Sequence, residues 1–206
     1  MKYKDIKRSL DLLVAVILVL VSIPLLFVCF VGCSITTKSL GLFMQERIGS
    51  NEKVFRLYKF KSMVDTTVNY DFQTSINDKR ITKFGKFLRR TKLDELPQLF
   101  NVINGDMSFV GPRPDVEGYA ELLDSHLQYL DKVKPGITSP ASIYFKHEEI
   151  ILSKAQNKKK FNDTVIWPIK AKMNRKYADN YTFTNDLICI LQTLGLLKSD
   201  KFQAND

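Results

Sequence analysis

Two adjacent carboxylates, Asp94 and Glu95, are the residues whose type and position best suit chemistry. They lie in the segment LDELPQLFNV, in which Pro97 limits where a helix can begin, because proline fits only the first helical turn. The segment therefore predicts a helix that begins near Leu93 or Asp94. The positive end of this helix and the nearby Arg89 favour ionisation of at least one carboxylate at neutral pH.

A carboxylate pair also has an ordinary structural interpretation, because acidic residues are favoured in the first turn of any helix. Adjacent side chains on a helix diverge by about 100°, so Asp94 and Glu95 need different roles or different partners. Further along, the sequence GPRP holds Arg113 on a rigid turn, which suits a phosphate group. This neighbouring guanidinium favours a catalytic role for the pair.

The segments before the pair predict a small β-hairpin and a basic helix. Residues 43–63 show partial alternation on both sides of a polar turn, and basic residues interleave with aromatic ones across VFRLYKFK, which includes Lys59. Residues 64–79 are polar and loop-like, and residues 81–90 predict a short amphipathic helix. The interleaved strand could contact nucleic acid, but a half-buried amphipathic strand is the favoured interpretation.

The segments after the pair predict mostly helix. We expect a helix over residues 115–132, a short strand or extended run over residues 137–145, and a last helix over residues 186–197. Thr184 or Asn185 is the expected cap of that last helix. The leucines and isoleucine of the last helix, which share one face, suit either a core or a membrane surface. The predicted fold class is therefore α+β and mainly helical, with a short β-hairpin.

The N-terminal segment is apolar over residues 10–35, and about 20 such residues cross a bilayer as a helix. Ser22 and Pro24 lie near its middle, where proline removes a backbone hydrogen bond and a nearby serine can satisfy the freed carbonyl. Lys7 and Lys38 flank the two ends, so both ends suit the cytoplasmic face. A hairpin that enters and leaves one leaflet fits these features.

Two other interpretations of the N-terminal segment stay open at this point. An ordinary kinked transmembrane helix accounts for the same residues, because proline is common in membrane helices. A cleaved signal peptide fits less well, since the apolar run exceeds the roughly 7–15 residues of a signal core. We expect residues 1–40 to form the membrane segment and residues 41–206 to form one catalytic domain on the membrane surface.

Composition restricts the possible partners. The chain has 206 residues and a formal net charge of +9, which suits nucleic acid, anionic lipid or phosphorylated substrates. Its three cysteines, Cys29, Cys33 and Cys189, show no metal-ligand spacing with either histidine. The cysteines indicate a reducing compartment, without disulfides or structural zinc.

Taken in order, these segments resemble the monotopic phosphoglycosyl transferases, also called bacterial sugar transferases. The similarity covers most of the chain and rests on a series of specific motifs: QERIG, YKFKSM, LDELPQLFNV, GDMS, GPRP and KPGIT. The chain departs from the family pattern at Lys61, where arginine is usual, and after Thr138, where Ser139-Pro140-Ala141-Ser142 replaces the common continuation. Lys146 is the nearest match to an arginine that the family often has downstream.

The resemblance implies a monotopic enzyme at the cytoplasmic face of the bacterial inner membrane, held there by a re-entrant hairpin with its break at Ser22 and Pro24. It implies transfer of a sugar-1-phosphate from a UDP-sugar to polyprenyl (undecaprenyl) phosphate, with release of UMP, as the first membrane step of glycan assembly. Asp94 would be the nucleophile and Glu95 its helper, and both would be ligands of Mg²⁺. The expected phosphate-binding residues are Lys59, Arg89, Arg113 and Lys146.

Two rival functions are compatible with the same residues. In one, Asp94 is only a metal ligand and the lipid phosphate attacks the donor directly. In the other, the protein is a non-enzymatic, membrane-anchored basic module that binds anionic lipid or nucleic acid. The resemblance favours the enzyme and implies no nucleic-acid partner.

Overall fold

The computed structural model describes residues 3–65, 78–115 and 132–198. The fold is mainly helical, with two small two-stranded sheets, which confirms the predicted mixture of elements. The helices are α1 Tyr3–Thr37, α2 Lys83–Thr91, α3 Gln98–Asn104, α4 Pro140–Tyr144, α5 Glu148–Ser153, α6 Lys158–Phe161, α7 Trp167–Asn180 and α8 Phe183–Thr193. The strands are β1 Leu42–Ile48, β2 Val54–Phe60, β3 Ser108–Val110 and β4 Gly136–Thr138. The predicted helix at 115–132 and most of the predicted loop at 64–79 lie outside the described residues.

Helix α1 runs without interruption through Ser22 and Pro24, where the sequence predicted a break. Proline removes one backbone hydrogen bond, and the bonds on either side of it are enough to maintain the helix. The Ser22 hydroxyl donates to the carbonyl of Leu18 at 2.6 Å. Pro24 has no N–H, so it leaves the carbonyl of Leu20 without its usual donor. The Ser22 hydroxyl does not donate to that carbonyl. A re-entrant path for this segment stays a proposal.

The central part of α1 is largely exposed in this structure. In the described part of the chain, residues 5–37 form the one helix that is long and apolar enough to cross a membrane, and 11% of its most apolar stretch is buried. Its two halves nevertheless touch the rest of the protein. Ala15 is in a core with Leu57 and Val102, whereas Cys29 and Cys33 pack in a second core that contains Leu88.

The predicted β-hairpin is present. Strands β1 and β2 pair antiparallel, with Leu42 opposite Phe60 at the open end and Ile48 opposite Val54 beside the turn. In the short turn between them Asn51 has a φ of 54°, a left-handed value that asparagine tolerates better than most residues.

Helix α2 packs closely against the backbone of Ser62, just after β2. Thr82 caps the helix by accepting a hydrogen bond from the Gly85 N–H at 2.8 Å. A Cβ at Gly85 would lie 2.1 Å from the carbonyl oxygen of Ser62, so only glycine allows this approach. The predicted basic helix at residues 81–90 is confirmed, with its beginning shifted by two residues.

The carboxylate pair lies in a tight 3₁₀ turn, Leu93–Glu95, and α3 begins after it at Gln98. The prediction of one helix starting near Leu93 is therefore wrong in detail. Pro97 has no N–H to close an α-helical hydrogen bond, and the Leu96 N–H instead donates to the Leu93 carbonyl at 3.2 Å. Gly105 ends α3 with a φ of 89°, a left-handed value that glycine adopts easily at the end of a helix.

Strands β3 and β4 are parallel and bring the GPRP turn against the segment KPGIT. A Cβ at Gly136 would lie 2.1 Å from the backbone nitrogen of Gly111, so the two glycines fix this close contact. The predicted extended run at residues 137–145 ends early. Ser139 caps α4 by accepting from the Ser142 N–H, and Pro140 occupies the first turn, where its missing N–H costs nothing.

The last helix differs from its prediction at its start. Thr182, rather than Thr184 or Asn185, caps α8. The buried side chains are Asp186, Cys189 and Gln192, and Asp186 is held inside by hydrogen bonds from Tyr3 and Tyr177. On the apolar face, whose sequence suits either a core or a membrane surface, Ile190 packs against the core while Leu187 and Leu194 are exposed.

Candidate active site

The active-site candidate is the pair Asp94 and Glu95, called the dyad below. It is positioned by α3 and β2 together. The Asn101 side chain of α3 bridges to β2: its Oδ1 accepts from the Tyr58 N–H at 3.0 Å, and its Nδ2 donates to the Arg56 carbonyl at 2.7 Å. Asn101 is fully buried, so the link is protected from water. This link places β2 beside the turn that carries the dyad.

Glu95 is held by two cations. Lys59 Nζ lies 3.1 Å from Glu95 Oε1, and an Arg113 Nη2 lies 2.6 Å from the same oxygen. Burial alone would raise the pKa of Glu95, but the charges of Arg113 and Lys59 outweigh burial and hold this pKa well below its usual range. Glu95 is therefore a fixed anion that orients the two cations.

The surroundings of Asp94 have the opposite effect, because they disfavour its charged form. Its Oδ1 is buried and has no hydrogen-bond partner among the described residues. Burial raises the pKa of Asp94, the neighbouring charge of Glu95 raises it further, and Lys59, Lys92 and Arg89 act in the other direction. Glu95 fits the expectation that at least one of the two carboxylates is ionised at neutral pH. Asp94 is left with a buried oxygen that has no partner among the described residues, in surroundings that disfavour its charged form.

The four predicted phosphate-binding residues do not all lie together. Lys59 and Arg113 contact the dyad directly. Arg89 lies nearby: its Nε donates to Ser62 Oγ at 2.9 Å, and its charge lowers the pKa of Asp94. Lys146 is exposed between α4 and α5 and does not line the cavity described next.

A small cavity is lined in part by Arg113. It has a volume of about 60 Å³ and opens to solvent. Its polar lining comes from segments far apart in sequence: Arg113, Asp115, Ser139, Ser142, Lys170 and Asn174. Arg113 contacts Glu95 and also lines this cavity, so it links the dyad to the cavity.

Charge alternates across the cavity. Burial raises the pKa of Asp115, and the charges of Lys170, Arg47 and Arg113 oppose that rise. Lys170 Nζ also lies 2.6 Å from Glu148 Oε2. Arg47 donates to the carbonyl of Pro114 at 3.0 Å, which fixes the backbone beside Asp115. The cations are thus paired but lie close enough to be shared with an anionic ligand.

The residues present suit Mg²⁺ in a limited way. Among the residues that the structure describes, no group of three His, Cys, Asp or Glu side chains could hold a metal ion. Mg²⁺ is commonly bound by one or two carboxylates together with substrate phosphates, so a full protein cage is not required. The unpartnered Oδ1 of Asp94 meets this description, whereas Oε1 of Glu95 is already bound to Lys59 and Arg113.

Sequence reasoning missed most of the cavity. Asp115 directly follows the GPRP motif but was not singled out, and Lys170 and Asn174 lie in α7, whose sequence shows no recognisable motif. One signal was available: the departure from the family pattern after Thr138 falls on Ser139 and Ser142, which line the cavity.

Comparison with known proteins shows which family this arrangement belongs to. Residues 2–199 match the family described as bacterial sugar transferases. The chain is 37% identical over 196 residues to a UDP-N-acetylgalactosamine-undecaprenyl-phosphate N-acetylgalactosaminephosphotransferase of Aeromonas hydrophila, covering 93% of this chain and 43% of that relative. It is 43% identical over 143 residues to a UDP-glucose:undecaprenyl-phosphate glucose-1-phosphate transferase of Klebsiella pneumoniae, covering 66% of this chain and 30% of that relative.

A shorter relative matches over most of its own length. The chain is 38% identical over 127 residues to a putative undecaprenyl-phosphate N-acetylgalactosaminyl 1-phosphate transferase of Bacillus subtilis (strain 168), covering 61% of this chain and 71% of that relative. By contrast, the chain spans less than half the length of the Aeromonas and Klebsiella relatives. The family match extends over nearly the whole chain and includes the dyad, the cavity and α1. This protein therefore belongs to the bacterial sugar transferase family.

Proposed function

We propose that the protein transfers a sugar-1-phosphate from a UDP-sugar to polyprenyl (undecaprenyl) phosphate and releases UMP, through a covalent intermediate on Asp94. The observation that carries the proposal is the buried, unpartnered Oδ1 of Asp94 beside a neighbour, Glu95, that is fully paired. The relatives are named for the transfer of sugar phosphates to undecaprenyl phosphate, which supports the same reaction class.

In the first step an Asp94 carboxylate oxygen attacks the phosphorus that bears the sugar. A bond forms between this oxygen and phosphorus, the bond from phosphorus to the bridging oxygen breaks, and UMP leaves with the electron pair. The carboxylate enters as an anion and UMP leaves as one, so no proton has to be supplied. The product is an aspartyl-phosphosugar.

In the second step a phosphate oxygen of the lipid acceptor attacks the same phosphorus. The bond to Asp94 breaks, the carboxylate is restored, and the product is a polyprenyl diphosphate that carries the sugar. Two successive steps let one site receive a water-soluble donor and a membrane-bound acceptor in turn.

The cations offset the repulsion between the attacking anion and the diphosphate. Arg113 is the best placed, because it contacts Glu95 while 45% of its side chain is exposed at the mouth of the cavity. Its planar guanidinium suits phosphate oxygens. Lys59 and Arg89 add positive charge close to Asp94, and such preorganised charge stabilises the transition state.

Mg²⁺ is part of this proposal. The Asp94 and Glu95 carboxylates would hold it together with the donor phosphates, and Asp94 fits better because its Oδ1 is unpartnered. When bound, the metal ion would neutralise charge on the diphosphate.

We also propose that α1 enters and leaves the cytoplasmic leaflet of the inner membrane. Near one end of α1, Lys7 pairs with Asp186 and Arg8 donates to the carbonyl of Val102; near the other end, Cys33 packs in the core with Leu88. Both ends therefore contact the same globular body, as a hairpin requires. Pro24 supplies a point at which the helix can bend.

Trapping the intermediate tests the mechanism. The purified protein, incubated without lipid acceptor and with a UDP-sugar labelled in its sugar, should retain label after denaturation and release about one UMP per label. Polyprenyl phosphate should then remove the label. Asp94→Asn should give no label, whereas Asp179→Asn, a matched change at an exposed ion pair, should behave as the unmodified protein.

Other outcomes identify the rivals. UMP release that depends on the acceptor and leaves no label would show direct attack by the lipid phosphate. Absence of UMP release from every UDP-sugar, with membrane binding unaffected by Asp94→Asn, would favour the non-enzymatic module. For the membrane path, a tag at the N-terminus should be as inaccessible from the periplasm as one at the C-terminus, and an accessible N-terminal tag would show a true span.

A further inference from the structure

The cavity lined in part by Arg113 contains a polar group that no interaction in the described structure explains. Asn174 of α7 lines this cavity and is 7% exposed, and its Oδ1 is buried without a hydrogen-bond partner. A buried amide oxygen without a partner carries a desolvation cost. Such an atom in the wall of an open cavity of about 60 Å³ indicates that one polar group of a ligand enters the cavity and supplies the missing donor.

We infer that Asn174 selects the sugar of the donor by accepting a hydrogen bond, through Oδ1, from a hydroxyl or amide N–H of that sugar. The inference rests on the proposed function and deepens it. Rotation about the last side-chain bond of asparagine turns its oxygen toward the cavity without moving α7.

The position of the cavity favours the sugar over the uridine. In the proposed reaction UMP leaves after the first step, while the sugar stays attached through phosphate to Asp94. The group that stays needs a pocket next to the dyad, and Arg113, which binds Glu95, lines this one. We therefore place one polar substituent of the sugar in this cavity, beside the intermediate.

The lining also matches a sugar. Asp115 offers carboxylate oxygens, Ser139 and Ser142 offer hydroxyls, and Asn174 offers the unpartnered amide oxygen. Hydroxyl-rich rings are recognised by several such groups around one cavity, and a site built to bond a particular hydroxyl discriminates against a donor that lacks it. Selection among sugars that differ at one hydroxyl is the expected result.

The test compares donor preference in matched variants. UMP release with lipid acceptor is measured for UDP-glucose, UDP-galactose, UDP-N-acetylglucosamine and UDP-N-acetylgalactosamine. Asn174→Leu should change the ratio of kcat/KM between the best and second-best donors by about five- to tenfold, the effect of one neutral hydrogen bond. Inhibition by UMP should be unchanged, because the uridine lies elsewhere.

The chain offers a close control. Gln192 of α8 also has a buried amide oxygen without a partner among the described residues, but it does not line the cavity. Gln192→Met should leave the donor ratio unchanged. Asn174→Asp, which keeps an acceptor oxygen, should keep the same preferred donor. If Asn174→Leu does not fold, as judged by circular dichroism, Asn174→Ala removes the same oxygen with a smaller side chain.

The outcomes separate this inference from the proposed function. An unmodified protein that releases UMP, together with an unchanged donor ratio in Asn174→Leu or Asn174→Ala, overturns the inference alone. An equal loss for every donor with weaker inhibition by UMP would assign Asn174 to the uridine instead and also overturns it. An unmodified protein that releases no UMP from any UDP-sugar overturns the proposed function itself.

Discussion

Asp94 and Glu95 are neighbours in sequence, yet their charges meet opposite surroundings. Glu95 shares Lys59 and Arg113, while Asp94 Oδ1 has no partner among the described residues. Paired charge costs the fold little, whereas a buried and unpaired carboxylate weakens it. At the residue scale, the proposed nucleophile is therefore a position where stability and activity oppose each other.

Asp94→Asn should abolish transfer and stabilise the fold. Because burial raises the folded-state pKa of Asp94, its charged form costs stability at neutral pH, and this cost disappears as the pH falls through that pKa. We expect a loss of activity on the order of 10³-fold or more and a higher unfolding temperature at pH 7. The difference in unfolding temperature should shrink in acid, and a lower unfolding temperature at pH 7 would contradict this account.

Lys59→Met should move the acid limb of the pH–rate profile. Lys59 lowers the pKa of Asp94, so without this cation the pKa rises and the nucleophile is protonated at higher pH. The profile of kcat/KM against pH should lose activity on acidification at a higher pH than in the unmodified protein, in addition to any general loss of rate. Lys53→Met, at an exposed position of the hairpin turn, should leave the position of the limb unchanged.

At the scale of elements, the site depends on close backbone contacts. Gly85 in α2 lies against Ser62, and this contact brings Arg89 within 2.9 Å of the Ser62 hydroxyl. Because Arg89 contributes charge at Asp94, the position of α2 affects the dyad.

Gly85→Ala should displace α2. Its new Cβ would meet the Ser62 carbonyl oxygen at 2.1 Å, so the backbone has to move, at a cost of roughly 1–3 kcal/mol in the free energy of unfolding. Thermal unfolding in detergent measures the loss, and transfer activity should fall with it. Gly195→Ala provides a control: nothing lies within 4 Å of its Cβ, so only the left-handed φ of 74° is strained, at about 1 kcal/mol. Equal losses in the two variants would contradict the contact argument.

The sequence predicted elements that depend on local patterns. The hairpin and the basic helix α2 follow from alternation and helical spacing, which act over a few residues. The starts of α3 and α8 were predicted wrongly. The burial of Asp186 in α8 was not predicted, because one of its partners, Tyr3, lies at the other end of the sequence and the other, Tyr177, lies in the preceding helix.

The candidate site was predictable to the same extent. The dyad and Arg113 stand out within one short stretch, and Lys59 follows from a strand pattern. The cavity is different, because Asp115, Ser139 and Asn174 meet only when β3, β4 and α7 come together. These contacts are tertiary, so no local pattern in the sequence predicts them.

At the scale of the whole molecule, one buried carboxylate connects both ends of the described chain. Asp186 is 3% exposed and accepts hydrogen bonds from Tyr3 and Tyr177 at 2.6 Å each, besides pairing with Lys7. Helix α1 is thereby joined to α7 and α8 through a largely buried polar network.

Asp186→Asn should weaken the whole protein. It leaves the Lys7 ammonium without its main counter-charge in a buried place, which costs roughly 3–5 kcal/mol. The unfolding midpoint in detergent should fall accordingly. Asp179→Asn removes a partner of Lys132 at the surface and should cost only about 0–1 kcal/mol. Similar midpoints for both variants would show that the network is not structural.

Arg8 has a consequence for how this protein can be handled. Its guanidinium donates to the carbonyls of Val102 and Ile103, the last turn of α3, while Lys134 donates to the carbonyl of Gly105 at 2.6 Å. Helix α1 thus caps the C-terminal end of α3, the helix that follows the dyad. Helix α1 is therefore part of the folded unit that contains the dyad, and removal of residues 1–40 should destabilise this unit. A preparation has to retain these residues.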